Sequence, residues 1–197
     1  MTWNAVEFEH WFNALTDPAK RQRALDDLTA AQRKERRELR TFIQFASAVK
    51  LDADPRTIQN RTAPEPDIFC EISGCDRYFE LGELTEESIP KSEADARRAG
   101  LDTYGGAISP TRPVEKMVFE KCRKTYASRG VPVDLLLHFS VGHQVPHPGV
   151  LSAWLAESRD RVMAALNAGP FGAIWFFDCW TARVLGVIER GTQELHL

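Results

Sequence analysis

The stretch "PDIFCEISGCDRYFELGEL", residues 66–84, contains two short apolar runs, "DIFCEI" and "RYFELGEL", joined by the polar segment "SGCD". Alternation within each run and Ser-Gly at the bend predict a β-hairpin. Three carboxylates, Asp67, Glu80 and Glu83, lie in or beside these runs. Because a charge next to a hydrophobic core needs a compensating partner, the hairpin is the first candidate for a functional site.

The sequence on both sides of the hairpin predicts further helices and strands. We expect helices at 3–15 and at 18–51, the second interrupted near 28–31 with Thr29 as a candidate cap. Residues 52–66 read as a loop, and 85–112 as a polar excursion with a short helix near 92–99. Further helices are predicted from Pro113 to a stop at Gly130 and over 147–169, and strands in "VPVDLLLHFSV", "FGAIWFFDCW" and "ARVLGVIE".

The order α, β, β, α, β, α, β, β predicts an α/β (α+β) fold, a mixed central sheet flanked by helices. At 197 residues we expect one domain, 1–197, with N-terminal helices at 1–51 and the core at 52–197.

Composition limits the classes of function. With 25 basic and 28 acidic residues the net charge is −3, so contact with nucleic acid would depend on local patches. No apolar run is long enough to span a membrane, and we expect a cytoplasmic protein with reduced cysteines, although Cys70 and Cys75 flank the predicted turn. The segment 3–15 and the edge strand near the C-terminus are candidate surfaces for a homodimer or a protein partner.

A fourth carboxylate, Glu35, falls on the long predicted helix. Helical periodicity puts it in the middle of an apolar stripe, and Glu38 at the margin of that stripe. A carboxylate in such a stripe costs several kcal/mol unless it is paired, protonated or bound to metal. Glu35 is therefore a second candidate site residue, and Glu38 an alternative to it.

Pro66-Asp67, followed thirteen residues later by Glu80, with a helix before and after, resembles the PD-(D/E)xK nuclease superfamily. The resemblance covers roughly residues 28–140 and implies a restriction endonuclease-like core. It also implies that Asp67 and Glu80 bind Mg²⁺ or Mn²⁺, joined by a glutamate of the first helix, for which Glu35 fits. Hard cations favour carboxylate oxygens, and Glu83 is a further candidate ligand if the strand ends or bulges near Gly82.

The sequence departs from the family where the motif lysine belongs. Residue 82, two positions after Glu80, is glycine. Some members of the superfamily carry the lysine on a neighbouring helix, and Lys121 lies at the margin of the apolar face of the helix after Pro113. Lys121 is therefore the candidate catalytic cation, together with Asp67, Glu80 and Glu35.

Each of these residues also has a plainer interpretation. Asp67 suits a turn after proline, Glu80 a surface ion pair, Glu35 a buried ion pair, and Lys121 a side chain that extends to solvent. His138, His143 and His147 lack the regular spacing of a zinc site. Two functions remain open: a metal-dependent nuclease, or an inactive nuclease-like fold that serves as a binding or regulatory module.

Overall fold

A computed structural model describes residues 17–19, 22, 28–84, 113–139 and 148–192. Within these ranges the chain forms three helices of ten or more residues and six strands. The helices are α1 (Ala30–Ala48), α2 (Pro113–Cys122) and α3 (Pro148–Ala168). The strands are β1 (Gln59–Asn60), β2 (Ile68–Ile72), β3 (Cys75–Glu83), β4 (Val133–Phe139), β5 (Phe171–Asp178) and β6 (Arg183–Glu189).

The six strands form one mixed sheet in the order in which they occur along the chain. Strands β1, β2 and β3 pair antiparallel, β3, β4 and β5 pair parallel, and β6 returns antiparallel to β5. Every residue of the central strand β4 is buried, as expected for a parallel strand covered on both faces. The predicted α/β fold with a mixed sheet flanked by helices is therefore confirmed.

Helices cover the two faces of the sheet. On one face, α1 packs against strand residues through its buried side chains Leu39, Phe42, Phe45 and Ala46. On the other, α2 and α3 contribute the buried apolar side chains Val114, Val118, Val162 and Leu166. Side chains along β3 alternate between these two cores. Phe79 and Leu81 face α1, whereas Tyr78 and Leu84, the residue after the strand, face α2 and α3.

The start of α1 confirms the interruption expected near 28–31. The Thr29 hydroxyl accepts a hydrogen bond from the Gln32 N–H at 3.2 Å, and the Gln32 side chain accepts one from the Thr29 N–H at 3.0 Å. This reciprocal capping satisfies two backbone donors that the first turn of a helix leaves unpaired.

Two other segments differ from their predictions. The helix predicted to continue to Gly130 ends at Cys122, and the chain that follows places the Tyr126 ring against that of Phe171, with ring centroids 5.5 Å apart. The predicted loop at 52–66 contains the short strand β1, whose Asn60 side chain donates to the Glu35 carbonyl oxygen at 2.9 Å.

Predictions for 3–15 and 85–112 lie outside the described residues. All four cysteines have free thiols. Within the described ranges, no helix combines the length and apolar character needed to cross a membrane.

The hairpin between β2 and β3 is tighter than the four-residue "SGCD" turn expected from sequence. Ser73 and Gly74 form a two-residue connection with φ of 50° and 78°, and Ile72 pairs directly with Cys75. Two consecutive positive φ values are typical of the type I′ turn, whose twist matches that of the strands it joins. Continued along the strands, this register pairs Ile68 with Phe79 and brings the next residue, Asp67, opposite Glu80.

We predict that Gly74→Ala lowers the free energy of unfolding by about 1–2 kcal/mol, because a side chain is disfavoured at positive φ. A Cβ at this position meets no atom within 4 Å, so backbone strain alone would produce the loss. Urea unfolding of the variant against wild type measures it, with Ser73→Asn as the control that keeps a residue tolerant of positive φ. Equal stability of Gly74→Ala and wild type would contradict the turn.

Candidate functional site

Asp67 and Glu80 meet at the end of the hairpin farthest from its turn. Residues directly opposite each other on paired strands project from the same face, with Cβ atoms about 5 Å apart. One oxygen of the Asp67 carboxylate accepts a hydrogen bond from the Leu81 N–H at 2.9 Å. The Glu80 side chain is only 6% exposed. The predicted pair of carboxylates is therefore brought together by the strand register, and one of them is held by the β3 backbone.

Lys121 reaches this pair from the last turn of α2. Its Nζ lies 2.6 Å from Glu80 Oε1 and 2.6 Å from the Leu81 carbonyl oxygen. The backbone of Leu81 thus contacts two of the predicted site residues. Its N–H donates to the Asp67 carboxylate, and its carbonyl oxygen accepts from the Lys121 ammonium. A second amine, Lys124 Nζ, lies 3.8 Å from Glu80 Oε1 and is more exposed. The lysine expected on a neighbouring helix is at the site.

The packing around Gly82 leaves little room for a side chain at this position of β3. A Cβ built on Gly82 would lie 2.7 Å from Leu137 Cδ2 and 3.2 Å from Met117 Cγ and Sδ. Leu137 and Met117 therefore fill the space in which a side chain at position 82 would begin. Lys121 follows Met117 by four residues, one turn along the same side of α2. The helix thus both closes position 82 and supplies the positive charge.

On α1, Glu38 is the carboxylate whose contacts reach this site. It is 12% exposed and lies 2.9 Å from Lys34 Nζ, which in turn lies 3.8 Å from Asp67 Oδ1. Burial, followed by the charge of Asp67, raises the pKa of Glu38. Glu35 is half-buried, and its backbone carbonyl contacts the edge strand β1. Helical periodicity alone favours Glu35 as the site residue of this helix. The feature of the sequence that favours Glu38 is Lys34, four residues earlier, because residues at this spacing on a helix can form an ion pair.

Glu83 lies on the other face of the sheet from Glu80. Strand β3 continues in unbroken register through Glu83, which pairs with His138 of β4, so alternation turns it toward α1. Its carboxylate lies 3.9 Å from a guanidinium nitrogen of Arg37. The structure therefore separates Glu83 from Asp67 and Glu80.

The two carboxylates of the site raise each other's need for a positive charge, which the Lys121 ammonium supplies to Glu80. Burial raises the pKa of Glu80, the charge of Asp67 raises it further, and the Lys121 ammonium opposes both effects. Burial also raises the pKa of the nearby Tyr126 phenol, and the Glu80 carboxylate adds to that shift. Two carboxylates that repel each other in a poorly solvated place are stabilised by a neighbouring positive charge.

The donor set fits a magnesium-type ion better than a metal enclosed by protein. Among the residues described, no three His, Cys, Asp or Glu side chains are grouped so that they could hold a metal ion. Mg²⁺, however, is usually bound through one or two carboxylates, with water and substrate phosphates completing its coordination. Asp67 and Glu80 are the residues that would hold such an ion.

His138, which pairs with Glu83 across β3 and β4, is a buried polar residue that lies apart from the carboxylate site. His138 is 3% exposed, and its Nδ1 lies 3.7 Å from Cys179 Sγ. Burial lowers the pKa of His138 to about 4 and raises that of Cys179 to about 11. A neutral imidazole beside a protonated thiol indicates a packing role for both. His143 and His147, the other members of the histidine cluster, lie outside the described residues.

Comparison of the chain with protein-family models, with curated proteins and with solved structures finds no match. The case for a function therefore depends on the residues and their geometry.

We predict that Gly82→Ala lowers the free energy of unfolding by about 1–3 kcal/mol, since the added methyl group overpacks the space between Leu137 and Met117. Met117→Ala would also destabilise the protein, but the double variant should lose less than the sum of the two single losses. Chemical denaturation of all four proteins in this cycle measures the coupling. Additive losses would mean that Met117 does not limit position 82.

We predict that His138 makes the protein acid-sensitive. Its folded-state pKa of about 4 lies below the ordinary 6.5, so between these pH values the unfolded chain binds a proton that the folded protein excludes. Stability present above pH 6.5 is then lost as the pH falls toward 4, by up to about 3 kcal/mol. Unfolding free energies measured across this range should show a shallower slope for His138→Gln, and equal slopes would contradict a buried neutral imidazole.

Proposed function

We propose that the protein hydrolyses phosphodiester bonds in nucleic acid, with a divalent cation, Mg²⁺ or Mn²⁺, held by Asp67 and Glu80. The observation that carries the proposal is the distance of 2.6 Å between Lys121 Nζ and Glu80 Oε1. Glu80 is the strand residue that lies opposite Asp67. Two acids and a lysine, the residue types of the PD-(D/E)xK pattern, thus gather at one point although position 82 is glycine.

The architecture supports a restriction endonuclease-like core. A helix precedes an antiparallel hairpin, and a second helix follows before a strand that pairs parallel to β3. This is the order of elements on which the sequence resemblance depends. Asp67 precedes the first residue of β2, and Glu80 lies within β3, as the motif requires.

Each residue has a chemical role in this proposal. A cation bound by the two carboxylates would lower the pKa of its water and neutralise charge on the phosphoryl group. Lys121 keeps a positive charge beside Glu80, where it stabilises negative charge that develops on the phosphoryl oxygens and orients the attacking water. Lys34, between Glu38 and Asp67, limits the directions that the Asp67 carboxylate adopts.

A second candidate function is a nuclease-like fold that binds a partner without turnover. The contacts that favour it are those that neutralise the carboxylates within the protein, Lys121 with Glu80 and Lys34 with Glu38. A site whose charges are balanced internally needs no cation to be stable. The two candidates differ in metal binding and in cleavage, and both can be measured.

We predict metal-dependent cleavage of labelled single-stranded DNA, double-stranded DNA or RNA by wild type, abolished by chelator. Lys121→Met should slow cleavage by about 10²-fold or more, on the scale of losing one group that stabilises developing charge. Asp67→Ala and Glu80→Gln should abolish both cleavage and the rise in melting temperature that Mg²⁺ or Mn²⁺ gives wild type.

Matched controls exist on the same elements. Lys116→Met and Glu120→Gln change exposed residues of α2, and Asp76→Asn changes an exposed residue of β3. Each should cleave like wild type. Cleavage that survives Glu80→Gln would place the chemistry elsewhere, and absence of both cleavage and metal-induced stabilisation would favour the binding module.

A further inference from the structure

Trp180 is a large apolar side chain held in solvent. It is 75% exposed, and among the residues that the structure describes no other large hydrophobic residue is exposed. It follows β5 by two residues, in the turn that leads to β6. Single apolar residues on a surface are common, so exposure alone assigns no role. The surroundings of Trp180 supply the reason to consider one.

The turn that carries Trp180 is fixed by the last residue of β5. One Asp178 oxygen accepts a hydrogen bond from the Trp180 N–H at 2.8 Å, and the other accepts one from the Thr181 hydroxyl. Asp178 itself is 4% exposed. The indole is therefore presented from a backbone anchored to the core, which reduces the conformational entropy lost when a flat ligand stacks on it.

Two arginines flank the turn. Arg183 begins β6 and pairs in register with Asp178. Arg40 precedes Thr41 of α1, whose hydroxyl oxygen lies 3.9 Å from the Cys179 sulfur. Both arginines are exposed, and no ion pair within the described part of the chain uses either of them. Among the described residues, these two arginines leave positive charge on the strand and on the helix next to the turn.

A row of cations connects this turn to the carboxylate site. Lys34, Arg37 and Arg40 recur every three residues along α1 and therefore lie on neighbouring turns of one side of the helix. Lys34 lies beside Asp67 and Arg37 beside Glu83 at the end of β3. Strand spacings of about 4.8 Å and a rise of about 3.3 Å per residue put Trp180 roughly 15–20 Å from Glu80.

We infer that Trp180 stacks on an unpaired base of a single-stranded nucleic acid whose backbone follows Lys34, Arg37 and Arg40 toward Asp67 and Glu80. The choice of nucleic acid rests on the proposed function, and the choice of a single strand rests on the exposed ring. A base inside a duplex is stacked on both faces, whereas an unpaired base offers a free face to an aromatic side chain.

The test is equilibrium binding of fluorescein-labelled oligonucleotides of about 20 nucleotides, single-stranded and duplex, measured by anisotropy with chelator present so that nothing is cleaved. Trp180→Ala should weaken binding of the single strand about tenfold or more, and Trp180→Phe should weaken it less because an aromatic face remains. Binding of the duplex should be the same for all three proteins.

Charge is tested separately on the same oligonucleotides. Arg40→Gln and Arg183→Gln should weaken binding and reduce its dependence on salt, whereas Arg159→Gln, an exposed arginine on α3, should not. Circular dichroism of each variant checks that the fold is kept. The inference would be overturned if Trp180→Ala bound the single strand as wild type does, or if it lost the same affinity for single strand and duplex. Trp180 would then be better explained as a contact for another protein.

Failure of this inference and failure of the proposed function give different results. If single-strand binding depends on Trp180 and no cleavage is seen, the stacking surface is supported and the proposed nuclease function is rejected. If cleavage is lost in Glu80→Gln, and neither cleavage nor single-strand binding changes in Trp180→Ala, the proposed nuclease function is supported and the stacking surface is rejected.

Discussion

The ion pair between Lys121 and Glu80 joins the two parts of the candidate site. Both side chains are largely withdrawn from water, where a charge is stable only with a close partner of opposite sign. Lys121 also donates to the Leu81 carbonyl, so its ammonium bonds to the strand backbone as well as to the carboxylate. Helix α2 is thereby tied to the hairpin at the point where Asp67 faces Glu80. Removal of either partner would leave a poorly solvated charge.

Much of this arrangement follows from local sequence rules. The hairpin, the cap at Thr29 and the mixed order of helices and strands were predicted from periodicity and turn residues, because these depend on neighbours in sequence. Lys121 could be selected for the same reason, since its position at the margin of an apolar helix face is a local property. The pairing of Asp67 with Glu80 required one further fact, the two-residue turn at Ser73 and Gly74, which sets the register.

What the sequence could not supply depends on packing between distant segments. A side chain at position 82 is excluded because Leu137 of β4 and Met117 of α2 lie against β3, and nothing near Gly82 in the sequence indicates these contacts. The choice between Glu35 and Glu38 depends on how α1 is rotated over the sheet, a few tens of degrees that periodicity does not resolve. The contact of Tyr126 with Phe171 of β5, just after the end of α2, is likewise between segments distant in sequence.

The filled space beside Gly82 also constrains how this site can change over evolutionary time. A side chain at position 82 would require Leu137 and Met117 to move or to be smaller, while a smaller residue at 117 alone would open a cavity in the core under α2. Each of these changes made alone is expected to cost stability. Positions 82, 117 and 137 are therefore coupled, so a substitution at one of them is expected to be accepted more readily when a neighbour changes with it.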